Sequence, residues 1–199
     1  MSLSGGSRIG RRTMLGWTAA SATLLWHGDV FALEVEVPLR LQVDLLNRVL
    51  PYDRNFASRV HSELKIAIIT DSGHIDSTRI GAEMLAEFHE RPTLGGVRQH
   101  ASRITFTSTQ TLVDECRQQR VGLLYVTPGV RTPIGPLATA LHGLGVLTVA
   151  AIPEQVRQGL VLGFAVRSGK PRLLVNLTQA RQQQVNFRAD FLRMAEVVG

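Results

Sequence analysis

The sequence predicts an α/β fold: a mixed, mainly parallel sheet of about six strands with helices on both faces and a C-terminal β-hairpin. Three observations predict it. Short, nearly continuous apolar runs such as Ile66-Ala67-Ile68-Ile69 and Val121-Gly122-Leu123-Leu124-Tyr125-Val126 suit strands buried on both faces of a parallel sheet. Stretches with apolar residues at helical spacing alternate with those runs. Near the C-terminus, two apolar runs flank Ser168-Gly169-Lys170, the signature of a hairpin.

The elements follow in order. Leu39, Val43, Leu46 and Leu50 recur at helical spacing, so a helix is expected over 38–50, with Pro38 in its first turn and Pro51 ending it. Residues 64–70 form the first strand, and Asp71-Ser72-Gly73-His74 the loop after it. Asp76 or Ser77 is the expected cap of a helix that buries Ile80, Met84, Leu85 and Phe88 and ends at Pro92. Leu94-Gly95-Gly96 reads as linker chemistry. A second strand is expected over 102–106, then a cap among Thr107, Ser108 and Thr109 and a helix over 110–119. Residues 121–126 form a third strand, 136–144 a short helix, 146–150 a fourth strand and 152–157 a short helical connection. After the hairpin (159–167 and 171–176) the chain is expected to be helical from Thr178, interrupted at Val185-Asn186-Phe187, with a terminal helix over 190–198.

The first 32 residues read as an address. A small, basic stretch ends in Arg11-Arg12; a modestly apolar stretch runs from Met14 to Trp26; Val30 and Ala32 fill the −3 and −1 positions of a signal-peptidase site. The twin arginine and the weakly apolar middle resemble a twin-arginine export signal. The expected domains are therefore a signal peptide over 1–32, cleaved near Ala32, and one α/β domain over 33–199, placed in the periplasm. Thirteen apolar-stretch residues would span roughly 20 Å as a helix, short of the ~30 Å hydrocarbon core. No membrane span is expected in the mature chain.

The 199 residues carry 22 Lys and Arg against 16 Asp and Glu, a net charge of +6. Only Lys65 and Lys170 are lysines, and the arginines are spread along the chain without a basic block. A nucleic-acid footprint wants a clustered stripe, and aromatics are only 6% of the residues, so no nucleic-acid partner is expected. One cysteine, Cys116, excludes an internal disulfide and a Cys-rich metal site. It sits on the buried side of a predicted helix, as a small core residue, although in an oxidising compartment it could join two chains as a homodimer.

Chemistry-bearing motifs are sparse. The histidines form no metal-binding pair, and neither a Walker loop nor a Gly-x-Gly-x-x-Gly occurs. Asp71, Ser72 and His74 make a triad in name, but neighbours in sequence rarely converge and there is no nucleophile elbow. No enzyme activity, metal or cofactor is expected. In such a sheet ligands bind beyond the carboxyl ends of the strands. The residues there are Asp71, Ser72 and Gly73, then Thr107 and Ser108, then Thr127, Gly129 and Arg131. These could cradle a small anion or serve as ordinary caps and turns.

The order of segments resembles the YfiR family. The residues that carry the resemblance are Leu45-Leu46-Asn47-Arg48-Val49-Leu50-Pro51-Tyr52-Asp53-Arg54, the three central strands, Gly159 to Phe164, Lys170 to Leu177, and Phe191-Leu192-Arg193-Met194-Ala195. It runs from about Val37 to Val198. The resemblance implies a non-enzymatic periplasmic regulator that binds and restrains the periplasmic part of a membrane diguanylate cyclase, hence a role in cyclic-di-GMP control of biofilm or motility. Better-known members carry disulfide cysteines, which this chain lacks. The expected partner surface lies on the first and last helices, at Arg40, Arg48, Arg188 and Arg193. A periplasmic small-molecule-binding module is the alternative, since β–α alternation with polar loops would also suit one lobe of a solute-binding protein.

Overall fold

A computed structural model describes residues 35–199. The expected leader, with Arg11, Arg12 and Ala32, lies outside the described residues. The chain runs α1 (Leu39–Val49), β1 (Leu64–Thr70), α2 (Ile75–His89), β2 (Thr93–Leu94), β3 (Val97–Thr105), α3 (Thr109–Gln119), β4 (Leu123–Val126), α4 (Ile134–Ala140), β5 (Leu147–Ala150), α5 (Pro153–Arg157), β6 (Leu162–Arg167), β7 (Lys170–Asn176), α6 (Leu177–Gln182), α7 (Ala189–Leu192) and β8 (Glu196–Val198). The strands form one sheet in the order β2-β3-β1-β4-β5-β6-β7-β8. From β3 through β6 neighbouring strands are parallel; β7 is antiparallel to β6, β8 parallel to β7, and β2 antiparallel to β3.

The expected mixed, mainly parallel α/β sheet is therefore present, with eight strands rather than six. The two additional strands correct two readings. Leu94-Gly95-Gly96 is not a linker: Leu94 ends β2 and Gly95-Gly96 is the turn into β3. Both glycines have positive φ, +60° and +85°, where a side chain would strain the backbone, and Asn47 Oδ1 accepts from the Gly95 amide at 2.8 Å. The expected terminal helix over 190–198 stops at Leu192. Glu196–Val198 instead pairs with Leu174–Asn176, because the edge of β7 offers its backbone groups a ladder that the β-branched Val197 and Val198 can complete.

The sheet order explains both faces. The chain leaves β1 in one direction to reach β3 and returns past β1 to reach β4, so right-handed crossovers place α2 and α3 on opposite faces. One core contains Val43, Leu46 and Val49 of α1, Met84 and Phe88 of α2 and the C-terminal Phe187 and Phe191, packed on Ile66, Ile68 and Tyr125. The other contains Leu112, Val113 and Cys116 of α3, Leu137 of α4 and Val156 of α5, packed on Ala67, Ile69 and Leu124. Period-two alternation along β1 thus feeds both cores.

The start and end of the domain are joined by Asp53. Its carboxylate accepts from the Asn55 and Asn186 amides at 3.0 and 2.8 Å and from the Arg59 guanidinium. Arg59 also donates to the Gln184 carbonyl at 2.5 Å. The Asp53 and Arg59 side chains are 0% and 3% exposed. Burial lowers the Arg59 pKa, while the Asp53 charge and hydrogen bond oppose that shift. Gln184 carries φ +57° at the turn that presents its carbonyl.

Candidate functional site

The order reverses at β1, so the loops after β1 and β4 flank the topological switch point, where ligands of open α/β sheets bind. The structure brings five expected residues together there. The Asp71 carboxylate accepts from the Gly73 amide at 2.8 Å, from the Arg131 amide at 3.1 Å, and from Arg131 Nε and Nη2 at 3.2 and 3.4 Å. These bonds, led by that from the Arg131 side chain, hold the Asp71 pKa below its ordinary value. The guanidinium lies across Gly73, where a Cβ would come within 1.5 Å of Nη2. Gly129 has φ +78°, and a Cβ there would meet His74 Nδ1 at 2.5 Å. Gly129 is required by its left-handed backbone, whereas a side chain at Gly73 would displace the exposed Arg131 head group.

The hydroxyls beneath are committed. Thr127 Oγ1 donates to the Ile69 carbonyl at 2.7 Å. Ser77 Oγ, 2.6 Å from Thr127 Oγ1, must then be the donor to it, and itself accepts from the Asp71 amide at 2.8 Å. Gln155 Nε2 donates to the Thr127 carbonyl at 2.9 Å. Ser77 thus sits inside α2 rather than capping it; His74 holds the cap position. Ser108 Oγ accepts from the Thr111 amide at 3.1 Å and caps α3, while Thr107 and Ser72 are exposed. Ser77, His74 and Gln155 complete the cluster. Their part depends on strand order, which no local signal in the sequence carries.

This arrangement can hold two loops in register and present an arginine to solvent, since the Arg131 side chain is 67% exposed. Among the described residues no group of three or more His, Cys, Asp or Glu is placed to hold a metal ion, and no helix is long and apolar enough to cross a membrane. Cys116 is buried on α3, and burial, with a smaller effect of Glu115, pushes its thiol up to about 12.

The expected partner surface divides. Arg40 and Arg48 are exposed on α1, Arg40 beside Glu87 of α2 and Glu90 at its C-cap. Arg188 lies 5.4 Å above the Tyr52 ring and pairs with Asp190 at 2.7 Å. Its amide donates to the Tyr52 carbonyl at 2.9 Å, and the Tyr52 and Phe191 rings are 5.8 Å apart. The C-terminal end of α1 and the α7 segment are therefore neighbours, with Arg48 and Arg188 on adjoining elements. Arg193 is exposed after α7. Two apolar side chains missed by sequence reasoning accompany it: Met194 and Val197 are 57% and 46% exposed. The periodicity that assigned them to a terminal helix concealed this.

Comparison with solved structures places the fold. Similar structures include an ABC domain in complex with L-Trp from Streptococcus pneumonia (13% identity, TM-score 0.57) and a conserved domain protein from Vibrio cholerae (13%, 0.57). A ligand-free, open substrate binding protein, CD0873, from Clostridium difficile is also similar (11%, 0.58). Each match covers 81% of this chain and 60% of the other, so the chain spans about three-fifths of the length of those structures. No curated protein matches the sequence. The family described as YfiR/HmsC-like matches residues 54–196, from the Asp53 junction to the last strand, and the chain belongs to that family.

Proposed function

We propose that the protein is an exported, non-enzymatic regulator that binds the extracytoplasmic part of a membrane signalling protein, such as a diguanylate cyclase, and restrains it. In this reading the leader is removed near Ala32 and the mature domain works in the periplasm. The docking surface takes in the end of α1 and the C-terminal segment, with Arg48, Arg188, Arg193, Met194 and Val197 as its residues.

The observation that carries the reading is how polar and apolar groups are spent. Asp71, Ser77 and Thr127 at the switch point are engaged in holding loops. Large apolar side chains at the C-terminal end stay in solvent. Exposed apolar groups accompanied by arginine, as Met194 follows Arg193, suit a protein interface. Restraint then requires differential binding: moving a partner from 99:1 active to 1:99 takes about 10⁴-fold tighter binding to its inactive state.

Cyclic-di-GMP measurement in the native host tests this. Deleting the gene should raise the cyclic-di-GMP level, and the wild-type gene should lower it again. Val197→Glu or Arg193→Glu should fail to lower it although each protein is exported and melts like wild type. An unchanged level on deletion overturns the reading.

A small-molecule-binding module is the second reading, favoured by the solute-binding fold of similar structures and by Arg131 at the switch point. A metabolite panel in thermal melts tests it. A saturating ligand whose stabilisation of about 2–4 kcal/mol vanishes in Arg131→Ala supports it; a flat panel counts against it.

A further inference from the structure

A polar pocket lies at the opposite end of the strands from Arg131. Arg59 and His61 precede β1, Arg120 precedes β4 and Gly145 precedes β5, and these three strands are neighbours in the sheet. Their leading turns enclose about 380 Å³, bordered by Ser58, Arg59, His61, Arg117, Arg120 and Gln184. Gly122 lets the turns close up. A Cβ there would come within 2.9 Å of the Arg59 carbonyl oxygen, so the turn Phe56–Arg59 packs directly on the one that follows α3. Arg59 forms the inner wall. Two of its guanidinium nitrogens are spent on Asp53 and the Gln184 carbonyl, while Nε is buried with no hydrogen-bond partner. The pocket is therefore backed by a charged group that is still short of an acceptor.

The charge around this pocket is one-sided. Among the described residues no Asp or Glu lines it, and Arg120 makes no ion pair. Arg117 pairs with Asp114 at 3.7 Å, both side chains about half exposed, a contact that contributes little. The end of α3 does not account for the two arginines. Its last carbonyls are taken by backbone donors, Arg117 O by the Arg120 amide at 3.2 Å and Cys116 O by the Val121 amide at 2.9 Å. The helix dipole leaves only about half a negative charge there, against two guanidinium groups. Arg120 moreover sits at φ +54°, a helix-ending position that glycine fills without strain. The backbone bears that cost and places a guanidinium at the mouth of the pocket.

We infer that this pocket at the amino ends of β1, β4 and β5 binds a small phosphate monoester through Arg117, Arg120 and His61, with Arg59 as its fixed inner wall. A phosphate monoester carries about −1.5 to −2 charges at neutral pH and three acceptor oxygens, which two guanidinium groups and an imidazole can share. Guanidinium forks suit that geometry. A monocarboxylate would leave about half of the arginine charge unmet. The volume is at the small end of the range for ligand pockets and admits a phosphate with a short carbon body. The inference goes beyond the proposed function and does not rest on it.

Titration of the purified protein with inorganic phosphate, glycerol 3-phosphate and succinate tests it, followed by calorimetry and by nitrogen-15 NMR. Both phosphates should bind saturably and shift the Arg117, Arg120 and His61 signals. Arg120→Gly removes the guanidinium and suits the left-handed backbone, so it should melt no lower than wild type yet lose at least about tenfold in phosphate affinity. Arg117→Gln should weaken binding in the same way. Absence of saturable phosphate binding, or unchanged affinity in both variants, overturns the inference. Succinate binding without phosphate binding also overturns it, because the ligand would then be a dicarboxylate. So does affinity lost in Arg131→Ala and kept in Arg120→Gly, which would put the anion at the switch point. The cyclic-di-GMP level on gene deletion bears on the proposed function alone, so the two readings stand or fall separately.

Discussion

Tyr125 Oη donates to Gln42 Oε1 at 2.8 Å across the core between β4 and α1. Gln42 in turn donates to the Val37 carbonyl at 2.9 Å. Both side chains belong to residues 0% exposed, and burial pushes the Tyr125 pKa up, with the Gln42 bond working in the other direction. The phenol is therefore a neutral donor that locks the first helix onto a central strand. Tyr125→Phe leaves Gln42 Oε1 buried without a donor and should cost about 1–3 kcal/mol, read from urea unfolding. A loss within error would show that water or another donor replaces the phenol.

The Asp53–Arg59 pair should be intolerant of losing one partner. Arg59→Met strands a buried carboxylate and should cost about 3–5 kcal/mol. The double change Asp53→Asn with Arg59→Met should cost less than the two single changes added together, because no uncompensated charge remains. Denaturant midpoints of the four proteins check this.

Asp71 should give a stability contribution confined to pH values above its own titration. Its folded pKa lies below the ordinary 3.8, so the folded state holds its proton less tightly than the unfolded chain. The contribution is complete above the unfolded value and disappears as pH falls through the folded one. Carboxyl-carbon NMR titration should show the depressed value. Arg131→Ala should move it back upward, by removing the largest cause.

Cys116 should resist alkylation by iodoacetamide in the native protein at pH 8 and react fully in denaturant. Its buried thiol, pushed up to about 12, supplies almost no thiolate at that pH. Rapid native labelling would reveal local opening of α3.

The fold was legible wherever a segment's burial depends on its own pattern. Ile66-Ala67-Ile68-Ile69 could only be a strand covered on both sides, and Leu39, Val43 and Leu46 only a helix face. Leu94-Gly95-Gly96 reads as linker because its neighbours form only two pairs of a hairpin, too short a run for alternation to register. Val197 and Val198 took their conformation from β7, not from their own spacing. At the switch point, Asp71 and Arg131 were each placed on the right kind of loop, but their pairing across sixty positions depends on strand order. Nothing in the sequence marks Asp53, Arg59 and Gln184 as one unit, since an acid, a base and a carbonyl come together only when the two ends of the domain meet.

That meeting has a consequence for biosynthesis. The Asn186 amide that satisfies Asp53 arrives 133 positions later in the chain, and β8 follows it. A nascent polypeptide halted before residue 186 cannot seal its opening turns, however well its central strands have already assembled. Closure therefore waits for residues 186–198 and is slow and non-local, so chains cut before residue 186 should accumulate as unsealed, protease-sensitive species rather than as smaller working domains.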